Sequence, residues 1–459
     1  MTLNRLSLIA GAVAASMLLG GCGIYKKYET PTTTPLTAAY AEARKASADS
    51  TLFGNLLWEQ VFTDPLLADL INRALVNNVN LDNARLNVDI AHAQLKGARL
   101  AYLPSVALAP NGAGASYAGS DISWTYQIPA QVSWEIDIFG KLLNSKRGAA
   151  AVYAQSEAYA RAVRSQIISA VANTYYGIAA VNSQLEISRS TAESWGRSVE
   201  VMKDLKLAGR VTEAAVVQMR ANYYSVLASI TDLEVSLDKL NNTMSLLLNE
   251  MPQNWNITAT LDFEKPEIMR AAIPMAELAA RPDVEAAEQQ LASAYYATAS
   301  ARAAFYPGLA ITANGGFTNL LGSFIKNPGD WFYQLAGSLT APLFSRGRNI
   351  ANLEASKARQ QQAMNNFEYA ILNASAEVSD ALTVYEKSAE KERLLVKQVA
   401  DLEKSVEYTE DLLRYSTGTY LEVLTAQQSL LSARISFVSS RLAQAQAFIN
   451  LYQALGGGR

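Results

Sequence analysis

Apolar residues recur along this chain with two different periods, and the switch between them marks out its elements. Between Ile122 and Ile138 the period is two: Ile122, Trp124, Tyr126, Ile128, Ala130, Val132, Trp134, Ile136 and Ile138 alternate with Ser123, Thr125, Gln127, Pro129, Gln131, Ser133, Glu135 and Asp137. Successive side chains of a strand point to opposite faces, so this segment predicts a strand with one apolar and one polar face. Pro129 stands on the polar face and predicts a bulge or a local break in pairing. Residues 331–344 repeat the pattern, with Trp331, Tyr333, Leu335, Leu339, Ala341 and Leu343 on one face and Gln334, Ser338 and Thr340 on the other. A weaker strand precedes each, carrying Val106 and Leu108 in one case and Leu309 and Ile311 in the other. The Gly-, Ser- and Asn-rich stretches 113–120 and 320–330 read as hairpin loops.

Elsewhere the period is near 3.5. Ile178, Val181, Leu185, Ser188, Ala192, Trp195, Val199 and Met202 advance in alternating steps of three and four, as do Leu395, Val399, Leu402, Val406, Thr409 and Leu413. Such a seam keeps one stripe against a neighbouring helix. It predicts long helices over 142–207 and 348–415, each about 100 Å long if continuous. Segments 213–249 and 282–304 have the length to stack end to end beside one long helix, and 421–454 with 65–100 beside the other. Between these half-helices, residues 250–281 and 23–64 are richer in Pro, Thr and Asn and predict a mixed collar around the middle.

The chain is internally duplicated. Ala98-Arg99-Leu100-Ala101-Tyr102-Leu103-Pro104 returns as Ala301-Arg302-Ala303-Ala304-Phe305-Tyr306-Pro307, and Asp137-Ile138-Phe139-Gly140 with Asn144 returns as Pro342-Leu343-Phe344-Ser345 with Asn349. Gly209 and Gln218 find counterparts in Gly418 and Gln427. The resulting organisation is a first repeat over 65–265, with its hairpin at about 103–138 and a turn at about 208–212, and a second over 266–455, with its hairpin at about 306–344 and a turn at about 416–420. Residues 456–459 form a tail.

Ahead of the repeats lies an export signal over 1–21: Arg5, an apolar run from Leu6 to Leu19, then Gly20 and Gly21 before Cys22. Cys22 is the single cysteine of the chain, which excludes an intramolecular disulfide framework and a cysteine metal cluster. Leu19-Gly20-Gly21-Cys22 resembles a bacterial lipobox, which implies cleavage before Cys22 and lipidation of its thiol, the covalent lipid being the one cofactor expected. Gly23, where Asp favours inner-membrane retention, points to the outer membrane. Residues 22–64 are then a lipidated N-terminal segment leading into the collar.

No other stretch approaches the ~18–20 uninterrupted apolar residues of a spanning helix, so a membrane crossing requires a β-barrel. Four strands in one chain cannot close, and an open edge in a bilayer leaves backbone groups unsatisfied. Two copies would give eight strands, with an interior filled by side chains. Three would give twelve and a lumen, so a pore favours a trimer.

The remaining chemistry is mostly exclusion. A formal charge of −3 offers no overall basic field for nucleic acid. The single histidine, His92, sits in an Ala/Gln-rich helix without a cysteine or paired carboxylates and reads as a packing residue, and no P-loop or nucleophile elbow is present. Catalysis therefore has no visible machinery. The scattered methionines mark no copper relay, which leaves metal efflux open.

Taken together, the lipobox, the repeated Ala98–Pro104 and Ala301–Pro307 motifs, Arg281-Pro282-Asp283-Val284 at the second repeat, and residues 415–427, Tyr-Ser-Thr-Gly-Thr-Tyr-Leu-Glu-Val-Leu-Thr-Ala-Gln, resemble the outer membrane factor family of TolC/OprM-like channel proteins, above all its lipoprotein branch serving tripartite efflux pumps. The resemblance implies a mainly α chain with a membrane β-barrel part: a homotrimer whose 12-stranded barrel, four strands per chain, continues as a long periplasmic α-helical barrel with a mixed equatorial collar. It further implies a periplasmic adaptor that meets the helical tips and links them to an inner-membrane transporter, most often of the proton-driven RND type. Gly209 and Gly418 fall where those tips turn, which makes Gly209, Arg210, Gly418, Thr419 and Tyr420 candidate adaptor contacts. Just past the second tip the family usually places an Asp facing the tunnel axis, where this chain carries the longer Glu. Glu422 matches that position, with Glu213 at the comparable place in the first repeat, as candidate gate carboxylates. The function implied is a passive exit duct for small toxic compounds. Two alternatives stay open, a duct for secreted protein in an ABC-driven system and a non-conducting lipoprotein scaffold.

Overall fold

The computed structural model describes residues 25–46, 53–116, 118–258, 261, 275–319, 329–415 and 419–458. Cys22 and Gly418 lie outside them. Helices dominate: α1 (Pro35–Ala46), α2 (Trp58–Val61), α3 (Pro65–Asn77), α4 (Val79–Leu100), α5 (Lys141–Leu207), α6 (Glu213–Leu248), α7 (Met275–Ala279), α8 (Pro282–Ala303), α9 (Arg348–Arg414) and α10 (Tyr420–Ala454). The expected long helices form as α5 and α9, of 67 residues each. One half-helix differs. The segment 65–100 is interrupted at Asn78, whose side-chain oxygen accepts from the N–H groups of Asn80 at 2.9 Å and Leu81 at 3.2 Å and so starts α4 afresh. Its amide also donates to the Leu247 carbonyl at 2.8 Å. Asn249, expected at the end of α6, instead caps it in the left-handed conformation at φ 54°.

Contacts divide the chain into two units. The first contains Leu86–Ala158 and Glu285–Tyr369 with the N-terminal segment up to Pro31, and it holds the sheet. Its strands are β1 (Ser105–Leu108), β2 (Asn111–Ala115), β3 (Ser123–Ile136), β4 (Gly308–Thr318) and β5 (Asp330–Thr340). All pairs are antiparallel. β1 and β2 lie one after the other along one edge of β3, β4 lies along its other edge, and β5 follows β4.

The predicted weak first strand is thus present in two pieces, and β2 extends to Ala115, into the stretch expected to be loop. Leu108 pairs with Ala130 and Asn111 with Gln127, so the register is the same on both sides of the gap. No extra residue is inserted, which makes this a break and not a bulge. Its cause is Pro110 facing the stretch around Pro129: neither proline has an N–H to donate, and one bond bridges the gap, from the Ala109 N–H to the Pro129 carbonyl at 3.1 Å. β5 ends at Thr340, so Ala341 and Leu343, assigned to its apolar face from the alternation, lie beyond the strand. Most of the second hairpin loop falls outside the described residues.

The second unit comprises Thr32–Arg85, Tyr159–Val284 and Ala370–Arg459. In it the first heptad seam is core: Ile178, Leu185, Ser188, Ala192, Trp195, Val199 and Met202 are buried, and only Val181 is half-buried. Each large apolar side chain so buried contributes about 1.5–3 kcal/mol. The second seam is different. Leu395 is buried, but Val399, Leu402, Val406, Thr409 and Leu413 are half-buried within the single chain. Of the segments expected to form the collar, α1 and α7 pack against each other, and the Glu277 carboxylate on α7 accepts from the Gly54 N–H at 3.2 Å.

Candidate functional site

Directly paired residues share a face of a sheet, so the registers sort every strand residue onto one side or the other. One face carries Val106, Leu108, Val132, Trp134, Ile311 and Leu335 among its paired members, and its other positions are apolar, aromatic or glycine. The opposite face carries Gln127, Gln131, Glu135, Asn314, Gln334 and Ser338, with small residues, Pro129 and a single aromatic, Phe332, between them. Among the described residues nothing covers the outer part of the apolar face: Tyr333 is 83% exposed and Leu335 76%. Aromatic residues mark the end nearer the hairpin loops, where Phe317 and Trp331 pack edge to face at 5.7 Å and Trp124 stands exposed. A contiguous uncovered apolar patch of this kind marks contact with lipid or another chain. The outer edges of β1, β2 and β5 have no strand partner within the sheet.

One turn of the second unit and the start of α10 hold the described tip residues. α5 ends in a Schellman motif: the Gly209 N–H donates to the Lys206 carbonyl and the Arg210 N–H to the Leu205 carbonyl, both at 2.9 Å. Gly209 adopts φ +70°, the left-handed region that favours glycine. Arg210 is exposed. Thr212 then caps α6, its hydroxyl accepting from the Ala215 N–H at 3.4 Å. Glu213, the first residue of α6, pairs with Lys206 across the turn at 2.5 Å. The hydrogen bond from Lys206 and its positive charge hold the Glu213 carboxyl below its ordinary range.

Glu422 is placed differently. It is the third residue of α10, and its carboxylate accepts from the backbone N–H of Thr419 at 3.1 Å, one half of a capping box. The two candidate gate carboxylates therefore occupy unlike positions, one in an ion pair across its turn and one capping its own helix, and both are exposed. The Thr-x-x-Glu spacing of 419–422 was the sequence signal for this second role.

Tyr420 turns inward. Its ring packs on a cluster of Ala192, Trp195, Val199, Met219, Val226 and Leu424, which joins α5, α6 and α10. The hydroxyl is buried and has no hydrogen-bond partner among the described residues, and burial pushes its pKa up to about 12. Arg210 after α5 and Thr419 and Glu422 at the start of α10 remain exposed, whereas the body of Tyr420 belongs to the core behind them. Nothing in its local sequence signals this, because the partners come from two other helices.

A buried cation sits in the same unit. Arg281, with its side chain 6% exposed, makes a two-point contact with Asp283 at 3.0 and 2.6 Å, reaches Glu377 on α9 at 2.6 Å and donates to the Ala454 carbonyl at the end of α10 at 2.8 Å. The Arg-Pro-Asp-Val motif thus ties the start of α8 to α9 and α10. His92 is exposed on α4, its ring 5.6 Å from that of Tyr153. Among the described residues no group of His, Cys, Asp and Glu has the arrangement of a metal site.

A sheet with an uncovered apolar face and unpaired edges, joined to long helices, defines the class: a channel-type outer-membrane chain, mostly helical, that contributes a few strands to a barrel. Among the described residues no helix is long and apolar enough to cross a membrane. Residues 70–250 and 273–457 match the outer membrane efflux protein family. The chain is 29% identical over 455 residues to the cation efflux system protein CusC of Escherichia coli, covering 96% of this chain and 97% of that one. To the toluene efflux pump outer membrane protein TtgC of Pseudomonas putida it is 30% identical over 473 residues, covering 98% and 96%. A probable outer membrane lipoprotein, SilC of Salmonella typhimurium, is 27% identical with 97% and 98% covered. Its fold matches solved structures of CusC, with TM-score 0.80, 27% identity and coverage of 94% and 99%, and of the MtrE outer membrane channel of Neisseria gonorrhoeae, with 0.78, 28%, and 90% and 93%. The chain belongs to the outer membrane efflux protein family, and it serves efflux as an exit duct in the outer membrane.

Proposed function

We propose that three copies of this chain close their sheets edge to edge into a twelve-stranded barrel with the apolar face toward lipid, and that their long helices form the periplasmic passage behind it. The observation that carries this reading is the sheet itself, four strands wide, apolar on one face, polar on the other and unpaired at both edges. An open edge costs several kcal/mol per unsatisfied group in a bilayer, so closure must come from further copies. The half-buried second seam on α9 supports the same reading, since neighbouring copies would complete its burial. Cys22 would carry the lipid anchor, as the relative named a lipoprotein suggests.

The passage is passive, and its load is small toxic compounds delivered through a periplasmic adaptor by an inner-membrane transporter of the RND type. Relatives named for cations and for toluene support small solutes over protein. The adaptor meets the turns at Gly209, Arg210, Gly418 and Thr419, and Glu422 contributes a carboxylate ring to the gate. The test combines two measurements. Photocrosslinking from Arg210 and Thr419 in the native cell should capture an adaptor of a proton-driven pump; capture of an ABC-exporter adaptor would move the function to protein secretion. In planar bilayers the trimer should conduct, and Glu422→Ala should raise conductance or weaken block by divalent cations. Absence of both effects would remove Glu422 from the gate.

A further inference from the structure

The weak negative charge of the whole chain conceals a local excess of cations at one end of the sheet. That end is where β3 runs out at Ile136, β4 starts at Gly308 and β5 finishes at Thr340. Around it stand Lys141, Lys146 and Arg147 in the first turns of α5, Arg302 at the end of α8, and Arg346 and Arg348 at the start of α9. The carboxylates beside them are Glu135, which pairs with Lys141 at 2.8 Å, Asp137, which accepts from the Leu143 N–H at 2.7 Å, and Glu354, as far into α9 as Arg147 is into α5. The N-terminal segment adds Lys26 and Lys27 against Glu29, tied in by Arg147, which donates to the Tyr25 carbonyl at 3.0 Å. The far end of the sheet is the opposite: it carries Asp121 and Asp330 and, among the described residues, no cation. Lys326 of the sequence falls outside them.

These cations are interleaved with exposed apolar and aromatic groups. Lys146 lies over the Tyr102 ring at 5.3 Å, the Trp134 indole donates to the Tyr102 carbonyl at 2.9 Å, and Phe139 stacks on Tyr306 at 4.9 Å. Leu343 and Phe344, just before Arg346, are 96% and 86% exposed. The belt is continuous with the apolar face, so a bilayer that covers the face ends here, at its headgroups. Local electrostatics work against the arrangement. At α5 the Asp137 carboxylate answers the helix dipole, but α9 begins with Arg348 and has no acidic residue in its first turn, where the dipole favours negative charge. A charge pattern that costs the isolated chain stability gains from an external anion.

We propose that this belt binds the anionic headgroups of phospholipids in the leaflet that meets this end of the sheet. Aromatic rings would sit at the interface, with Arg302, Arg346 and Arg348 reaching the phosphates. The proposal rests on reading the sheet as membrane-crossing, and the test separates the two. Full-length protein in detergent is offered phosphatidylglycerol and phosphatidylcholine together, and the retained lipids are measured by native mass spectrometry. The wild-type protein should retain phosphatidylglycerol preferentially and lose that preference as salt rises. The triple variant Arg302→Gln, Arg346→Gln, Arg348→Gln should lose about fivefold in preference for each cation removed, and the corresponding triple Lys variant should keep it. Equal retention of both lipids by the wild type, a preference indifferent to salt, or an unchanged preference in the Gln variant would overturn the proposal. Should the Gln variant fail to assemble, the salt titration of the wild type and the Lys variant decide. Conductance in phosphatidylcholine bilayers without any lipid preference would sink only the belt, whereas no conductance in any bilayer would sink the barrel reading beneath it.

Discussion

Pro129 of β3 lies directly opposite Gly316 of β4, and a Cβ on Gly316 would stand 2.1 Å from the Ile128 carbonyl oxygen and 2.8 Å from the Pro129 Cα. Both obstacles are backbone, so neither can swing aside. The glycine is what admits a proline to the interior of a strand paired on both sides. Gly316→Ala should therefore cost about 3 kcal/mol, at the upper end for overpacking. Heat-modifiable trimers counted on gels should fall sharply, and a wild-type yield would show that β3 and β4 separate without penalty.

The unpartnered hydroxyl of Tyr420 makes two substitutions diverge. Tyr420→Phe removes a buried O–H that has no partner and should leave the protein equally stable or about 1 kcal/mol more stable. Tyr420→Ala opens a cavity beside Trp195 and Met219 and should cost about 3–5 kcal/mol. Denaturation of the tip, followed by Trp195 fluorescence, distinguishes them.

The same residue sets a pH dependence at the alkaline end. Its folded pKa of about 12 stands above the ordinary 10.0, so the unfolded chain loses its proton first. Stability from this source is complete below pH 10 and declines as pH rises toward 12. The decline should be smaller in Tyr420→Phe, and identical alkaline profiles for both proteins would contradict burial of the phenol.

Glu213 gives the acid counterpart. Lys206 depresses its pKa, so the pair's contribution is present above the ordinary 4.5 and is lost as pH falls through the lowered value. Lys206→Ala should return the carboxyl toward its ordinary titration, as read by NMR of the labelled side chain. A carboxyl that titrates unchanged in that variant would show that the exposed pair does not persist in solution.

Arg281 is the most deeply buried cation among the described residues. Arg281→Ala removes charge-assisted bonds to Asp283, Glu377 and the Ala454 carbonyl together, and should cost about 3 kcal/mol. Glu377→Gln should cost less, because that carboxylate is 46% exposed and Asp283 still holds the guanidinium. Chemical denaturation of the two variants should rank them in that order.

What the sequence disclosed and what it hid separate along physical lines. Features written in local periodicity were legible: the ends of α5 and α9 fell within about two residues of expectation, and the alternation of β3 sorted its faces correctly. Features that depend on one side chain competing for a backbone group were written there but easily passed over, as with Asn78 restarting a helix and Glu422 closing a capping box. The rest came from partners far along the chain. Glu377 cannot be matched to Arg281 from spacing, nor Met219 and Trp195 to Tyr420, because only packing of separate helices brings them together.

The shared register of β1 and β2 against β3 has a consequence for how this strand tolerates change. Pro110 has no N–H to offer and only the Ala109 backbone bonds across the gap, so side chains there can be exchanged at little expense in hydrogen bonds. Residue number cannot change so freely. One residue inserted or deleted at the gap would shift β2 by a single step, turning Asn111 and Ala113 toward the apolar side and the glycines that accommodate Tyr126 and Trp124 away from it. The gap is permissive for spelling and strict for counting.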